Sequence, residues 1–225
     1  MIAALFVHAH KRLKILPVLP LPAGFRGAFA DHDKPVLHEK ECMRLLQLED
    51  SSLTAAQQTA KYLLIFQLTT SMALCDIKTL TRHHVKRDNN LEVWYIEKVR
   101  TKHLHLPNPK AFKIVLTAQA KNAFDKLREL AGGVDALFRL TSHNNINQHY
   151  ENLVKLAGID VHTTSYTLRH SFGQLYMNHN GTFEDLGKIM GNTLKNTMKY
   201  GQITTERLAA KARELEQSSP LHQLL

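Results

Sequence analysis

The chain has 225 residues, 29 Lys or Arg against 20 Asp or Glu, and a formal net charge of +9 with histidine neutral. That length suits one domain, or one domain with an appendage, and a 44% hydrophobic share supplies a real core, which excludes intrinsic disorder. The two cysteines, Cys42 and Cys75, form neither a disulfide framework nor a zinc pattern, which fits a reducing, cytoplasmic setting. No run reaches the roughly 18–20 apolar residues of a membrane span.

The first 34 residues read as a basic, proline-punctuated arm or linker. Ile2 to Val7 is too short for a signal-peptide core, Lys11, Arg12 and Lys14 stand on its wrong side, and Pro17, Pro20 and Pro22 break any helix. From Pro35 the pattern becomes periodic. Helices are predicted over Leu37–Glu49, Thr54–Thr70 and, as a short piece, Leu74–Leu80. Leu91–Val99 alternates as a strand, with Trp94 and Ile96 opposite Val93, Tyr95 and Glu97, and Phe112–Leu116 is its partner beyond the Pro107-Asn108-Pro109 turn. Helices then follow at Ala118–Ala131, Ser142–Ala157, Thr167–Asn180, Phe183–Met190 and Thr204–Gln217, four of the five stopping at or just before a glycine. The picture is mainly α (α+β): a helical domain over 35–217 with a small antiparallel β-sheet, and a tail over 218–225.

The excess of basic residues points to nucleic acid, because counterion release drives phosphate binding. On the helix from Thr167, Leu168, Phe172, Leu175 and Tyr176 are spaced as a buried stripe, and Arg169 shares a face with Tyr166 and Gly173. A guanidinium held there is able to meet a phosphate with its bidentate fork, or to snorkel over the core edge. Fourteen histidines include the pairs His8/His10, His83/His84 and His103/His105, but no ligand set accompanies them, so they read as surface groups rather than a metal site. No Walker-type loop, Gly-x-Gly-x-x-Gly or Gly-x-Ser-x-Gly is present, and Gly132-Gly133 reads as a helix stop.

One ordered series is more specific: Tyr166-Thr167-Leu168-Arg169-His170-Ser171-Phe172, then Gly181, Ile189-Met190-Gly191-Asn192 and Tyr200 through Thr204, with Asp76-Ile77-Lys78-Thr79-Leu80-Thr81 upstream. It resembles the tyrosine recombinase (phage integrase) family, most of all the integrases of mobile elements and conjugative transposons, over roughly Pro35 to Leu208. The resemblance implies a helical DNA breaking-rejoining catalytic domain with a β-hairpin. A tyrosine there attacks a DNA phosphodiester, forming a 3′-phosphotyrosyl bond and freeing a 5′-hydroxyl without metal or nucleotide cofactor. On that pattern Tyr200 is the nucleophile and Arg169 the second arginine.

Four positions depart from the pattern. Ala73 stands where the first arginine belongs, with Arg82 and Lys78 the neighbouring cations. Arg100 takes the place of the hairpin lysine in Lys98-Val99-Arg100-Thr101-Lys102, and Lys102 serves if the register slips. Tyr166 replaces the motif's histidine and Asn192 the later one, both neutral donors to phosphate. Two readings of the departures stand: a recombinase with a rearranged pocket, or a catalytically impaired DNA-binding remnant or regulator of the same fold. A helical protein–protein adaptor with accidental basicity is a third.

The expected partner is double-stranded DNA, with no membrane and no small-molecule cofactor. The family also joins protomers through the C-terminal segment. Thr204–Gln217 with Leu221, Leu224 and Leu225 either does this, making a homo-oligomer on DNA, or folds back on its own core. Such recombinases carry an N-terminal helical core-binding domain, which the residues before Pro35 are too few to form.

Overall fold

The computed structural model describes residues 8–9, 12–15, 34–109, 111–132, 143–201 and 204–218, so most of the N-terminal arm, Gly133 and the tail after Ser218 lie outside the described residues. The chain divides into two compact units, Met1–Asp33 and Lys34–Leu225, and the second holds the sheet and every helix from Glu39 onward.

Its helices are α1 (Glu39–Leu46), α2 (Ala55–Thr70), α3 (Leu74–Lys78), α4 (Ala118–Leu130), α5 (His143–Leu156), α6 (Ser165–Asn178), α7 (Phe183–Met190), α8 (Leu194–Thr197) and α9 (Thr205–Ser218). Between α3 and α4 lies an antiparallel sheet in the order β1 (Val85–Asp88), β2 (Val93–Val99), β3 (Ala111–Leu116). The expected mainly α fold with one small sheet is what the chain adopts.

The element at the centre is α2. Thr54 caps it, accepting a hydrogen bond from the Gln57 backbone N–H, and Gln57 reaches back to the Thr54 backbone. Leu63, Leu64, Ile65, Phe66 and Leu68 are buried on successive sides, because α4, α5, α6 and β3 pack around this helix. A helix apolar all round is stable only in such a position. One polar network threads through the packing. The Tyr150 hydroxyl of α5 donates to Gln67 Oε1 at 2.7 Å, and Gln67 Nε2 donates to Met72 O at 3.0 Å and Ser165 Oγ at 3.1 Å. It ties α5, the end of α2, the loop after it and the start of α6 into one rigid body.

Two elements depart from expectation. Strand β1 lies outside the expected strands, since Val-Lys-Arg-Asp has one apolar residue and no alternation. It forms as an edge strand paired to β2, Val85 opposite Ile96 and Lys86 opposite Tyr95, and Lys86 Nζ meets Glu97 at 2.5 Å. On β2 the inward residues are Ile96 and Lys98, while Trp94 lies at the rim with the Lys121 ammonium 4.6 Å from its ring centroid. Helix α6 differs in chemistry rather than position. Only Leu168 of the expected stripe is fully buried, and Thr167, Arg169, His170 and Ser171 are buried with it. Thr167, Arg169 and Ser171 are tolerated inside because they are bonded. Ser171 Oγ, for example, accepts from the Leu37 backbone N–H at 2.8 Å and so pins the start of the domain to α6.

At the far end, Arg207 Nη2 of α9 donates to Gly181 O at 2.9 Å, which holds the first turn of α9 against its own chain. Among the described residues no helix is long and apolar enough to cross a membrane.

Candidate active site

The site is built where α7 stops. Gly191 closes that helix in the left-handed conformation (φ 60°), its N–H bonding back to Lys188 O, and the helix ends with carbonyls that no further turn can satisfy. Two guanidiniums take consecutive ones. Arg169, projecting from α6, donates from Nη2 to Met190 O at 3.0 Å, and Arg100, at the end of β2, donates from Nη1 to Gly191 O at 3.1 Å. The negative end of the α7 dipole favours both cations.

Each arginine has a second anchor. Arg169 Nη1 donates to Ser71 O, on the turn after α2. Arg100 Nε donates to Asp76 Oδ2 at 3.2 Å and Nη1 to Asn192 Oδ1 at 2.7 Å, while Asp76 Oδ1 accepts from the Thr101 backbone N–H at 2.7 Å. Both arginines are only 6% exposed. Burial lowers the Arg169 pKa; the Tyr200 phenol opposes this by its charge and a hydrogen bond, and the neighbouring Arg100 cation adds to the lowering. Of these groups Asp76 alone is acidic. Two buried cations sharing one carboxylate leave an uncompensated positive charge, a costly arrangement unless an anion completes it.

Tyr200 lies over Arg169, whose guanidinium carbon is 5.2 Å from the phenol ring centroid. Helix α8, which the sequence does not announce because Leu-Lys-Asn-Thr carries no period, sets this placement: the Tyr200 backbone N–H donates to Thr197 O at 2.8 Å. Gly173 allows it. A Cβ at that position would collide with Tyr200 O and stand 2.9 Å from Tyr200 Cβ. The small residue beside Arg169 therefore makes room for the backbone that carries Tyr200. The imidazole of His170 stacks on the phenol at 4.6 Å between centroids, and Tyr166, half exposed, meets His170 edge-on at 4.4 Å and Tyr200 at 6.0 Å.

Five of the six expected site residues thus gather in one place: Arg169, Arg100, Asn192, Tyr166 and Tyr200. Lys102 is exposed on the turn Thr101–His103, and none of the cluster's hydrogen bonds or ring contacts involves it among the described residues. Beside Arg169 the second cation is Arg100, rather than Lys78 or Arg82. A cavity of about 540 Å³ beside Arg100 is lined by His103, Phe112, Lys113, Lys188 and Asn192 among others. Among the described residues no group of three His, Cys, Asp or Glu could hold a metal ion.

Ser71, His170 and Lys98 stand outside the expected site residues. Lys98 is buried beside Ile96, and burial lowers its pKa against the opposing charge of Asp76. Ser71 takes the left-handed conformation (φ 55°) at the end of α2, and its hydroxyl, closed off from solvent, has no hydrogen-bond partner among the described residues. Left-handed backbone costs an L-residue about 1–2 kcal/mol, and an unsatisfied buried hydroxyl about 1–3 kcal/mol. Ser71→Gly removes both against an entropic loss of about 0.5–1 kcal/mol, so a thermal melt is expected to rise by at least about 2–4 °C.

No family model and no curated protein matches the chain. Solved structures do. XerA recombinase superposes with TM-score 0.62 at 18% identity over 95% of this chain and 73% of its own. The XerH site-specific recombinase, in a post-cleavage complex with its palindromic difH substrate, gives 0.61 at 16% over 80% and 52%. The Tn1549 transposon integrase, in complex with circular intermediate DNA, gives 0.56 at 17% over 80% and 66%. The fold is that of a tyrosine-recombinase catalytic domain. This chain spans between about half and three quarters of the length of those recombinases. Within the tyrosine-recombinase fold, its own residues at the end of α7 and on α6 decide what chemistry is available.

Proposed function

We propose that the chain is a site-specific recombinase or integrase that cleaves and rejoins double-stranded DNA through a 3′-phosphotyrosyl bond on Tyr200. The observation that carries this is the pair of buried guanidiniums on consecutive carbonyls, Met190 and Gly191, with the Tyr200 phenol over one of them. Such a pair suits a phosphodiester, whose two non-bridging oxygens can accept from the guanidinium N–H groups that the carbonyls, Asp76 and Asn192 do not take. Arg100 then supplies the second guanidinium that Ala73 lacks.

In the reaction the Tyr200 oxygen loses its proton and forms a bond to phosphorus. The bond from phosphorus to the 5′-oxygen breaks, and its electron pair leaves on that oxygen, which takes a proton. Arg169 and Arg100 stabilise the charge that gathers on the phosphoryl oxygens, where preorganised donors are worth most. Asn192, its carbonyl oxygen engaged by Arg100, keeps its amide N–H groups for the phosphate. Tyr166 donates from its phenol, and Lys102 serves the 5′-oxygen from the hairpin turn. The intermediate conserves the ester, so resealing runs the same steps backward. Lys34, His103, Lys113 and Lys188 extend a basic surface along the duplex, and assembly of a second copy on DNA would use α9, where Leu208 is exposed.

Trapping on a pool of radiolabelled, nicked duplexes tests the reading. Wild type is expected to give a band that resists denaturation, and Tyr200→Phe none, with duplex affinity within about a factor of two. A wild type that binds duplex with a steep salt dependence yet traps nothing supports the regulator reading instead.

A further inference from the structure

The buried polar atoms of α6 are bonded, with one exception at the centre of the site. His170 is 2% exposed, and its Nε2 is sealed from solvent without a hydrogen-bond partner among the described residues. An orphaned ring nitrogen costs about as much as a lost hydrogen bond, and nothing in the resting packing recovers that cost. The ring is not in an apolar pocket, where another side chain would serve equally. It lies flat against the Tyr200 phenol, 4.6 Å between centroids and 28° between planes.

We infer that His170 is the proton acceptor for Tyr200, taking the phenolic proton on Nε2 as the oxygen attacks phosphorus. This rests on the recombinase reading. The O–H bond of Tyr200 breaks, its electron pair stays on the phenolic oxygen, and the proton forms an N–H bond at Nε2. The departing 5′-oxygen takes its proton from Lys102 or water. On resealing, the imidazolium returns its proton to Tyr200 as the phosphotyrosyl bond breaks. The step requires the phenol to slide across the imidazole face to the edge that carries Nε2, so the orphaned nitrogen of the resting state becomes satisfied during the reaction.

The surroundings keep the imidazole ready to accept. Burial, then the charges of Lys34 and Arg169, hold its pKa at about 4 rather than 6.5. Facing it are Arg169 and Tyr166 from its own helix, Tyr200 from the segment after α8, and Lys34 from the segment that leads into the domain. It is neutral at pH 7, with Nε2 open to a proton, and the same surroundings that keep it neutral make it a weaker base than a solvent-exposed imidazole. Tyr166, at the position where the motif has its histidine, is a phenol and a poor acceptor at that pH. His170 lies one turn further along the same helix face than Tyr166.

His170→Phe is the decisive variant, because it keeps an aromatic ring against Tyr200 and removes the nitrogen. Three readouts are expected together: a melting temperature equal to or above wild type, unchanged duplex affinity, and phosphotyrosyl formation slowed by about 10²–10⁴-fold. The wild-type rate should show an acid limb near pH 4 that is absent in His170→Phe. If His170→Phe fails to fold, His170→Asn with added imidazole replaces it, and rescue by imidazole is expected. Cleavage by a folded His170→Phe within about threefold of wild type, or the same acid limb in both proteins, overturns the assignment and leaves the recombinase reading standing. Absence of any wild-type adduct overturns both.

Discussion

Arg169→Lys is expected to slow formation of the covalent adduct by about 10²–10³-fold, the usual cost of removing one preorganised donor from a developing oxyanion. The charge is retained, so a loss of this size reports geometry. A guanidinium bridges Ser71 O and Met190 O while presenting its remaining edge toward Tyr200; an ammonium is a point donor and cannot span the same three directions. One buried carbonyl is then left unbonded, at about 1–3 kcal/mol, so the melting temperature should also fall. Duplex affinity, set by many phosphate contacts, should change by less than tenfold. Single-turnover cleavage on nicked duplexes measures the first effect, and a rate within fivefold of wild type would show that Arg169 only supports the core.

Gly173→Ala is expected to be as damaging without touching a charged group. The added Cβ would collide with Tyr200 O and lie 2.8 Å from Tyr200 C, which is backbone and cannot rotate away. Either α6 or the segment after α8 must shift. Overpacking of this kind costs about 1–3 kcal/mol, and a nucleophile displaced by about 1 Å loses on the order of 10² in rate. Folding should survive, as judged by circular dichroism, while adduct formation drops at least 10²-fold. Gly201→Ala, whose Cβ would meet the buried Met177 Cγ at 2.5 Å and Gly173 O at 3.2 Å, strains the same contact from the other side and should also slow adduct formation.

Helices with strong periods and clear stops, such as Thr54–Thr70 and Phe183–Met190, are legible in the sequence to within a residue at either end. Strand β1 and helix α8 are not, because each forms through tertiary support: β1 through pairing with β2, and α8 through Thr197, which is fully buried against Gly187. For the site, order along the chain is enough to nominate Tyr200 and Arg169. It does not show that Arg100 and Arg169 share the end of α7, since that depends on a 69-residue separation closing in space. His170 is hidden for another reason. Nothing in the sequence signals that the histidine after the arginine keeps a buried nitrogen with nothing to bond.

The departures from the family pattern acquire a common logic once placed. Ala73 lies between Ser71, at the end of α2, and Asp76, on α3, and Asp76 receives Arg100. Asn192 holds that same guanidinium through its side-chain oxygen, a role for which an amide is suited and a protonated imidazole is not. A lysine at 100 could not reach Asp76, Gly191 and Asn192 at once. The substitutions at 73, 100 and 192 therefore act as a set, and reverting one alone should impair rather than improve the site.

The most direct measurement is to locate the covalent bond itself. Trypsin digestion of the trapped adduct, followed by mass spectrometry, separates the peptide 200–207, which carries Tyr200, from 156–169, which carries Tyr166. A nucleotide remnant on 200–207 is the expected result. The same remnant on 156–169, or on any other peptide, would contradict the convergence of the Tyr200 phenol with Arg169 and Arg100 on one phosphate.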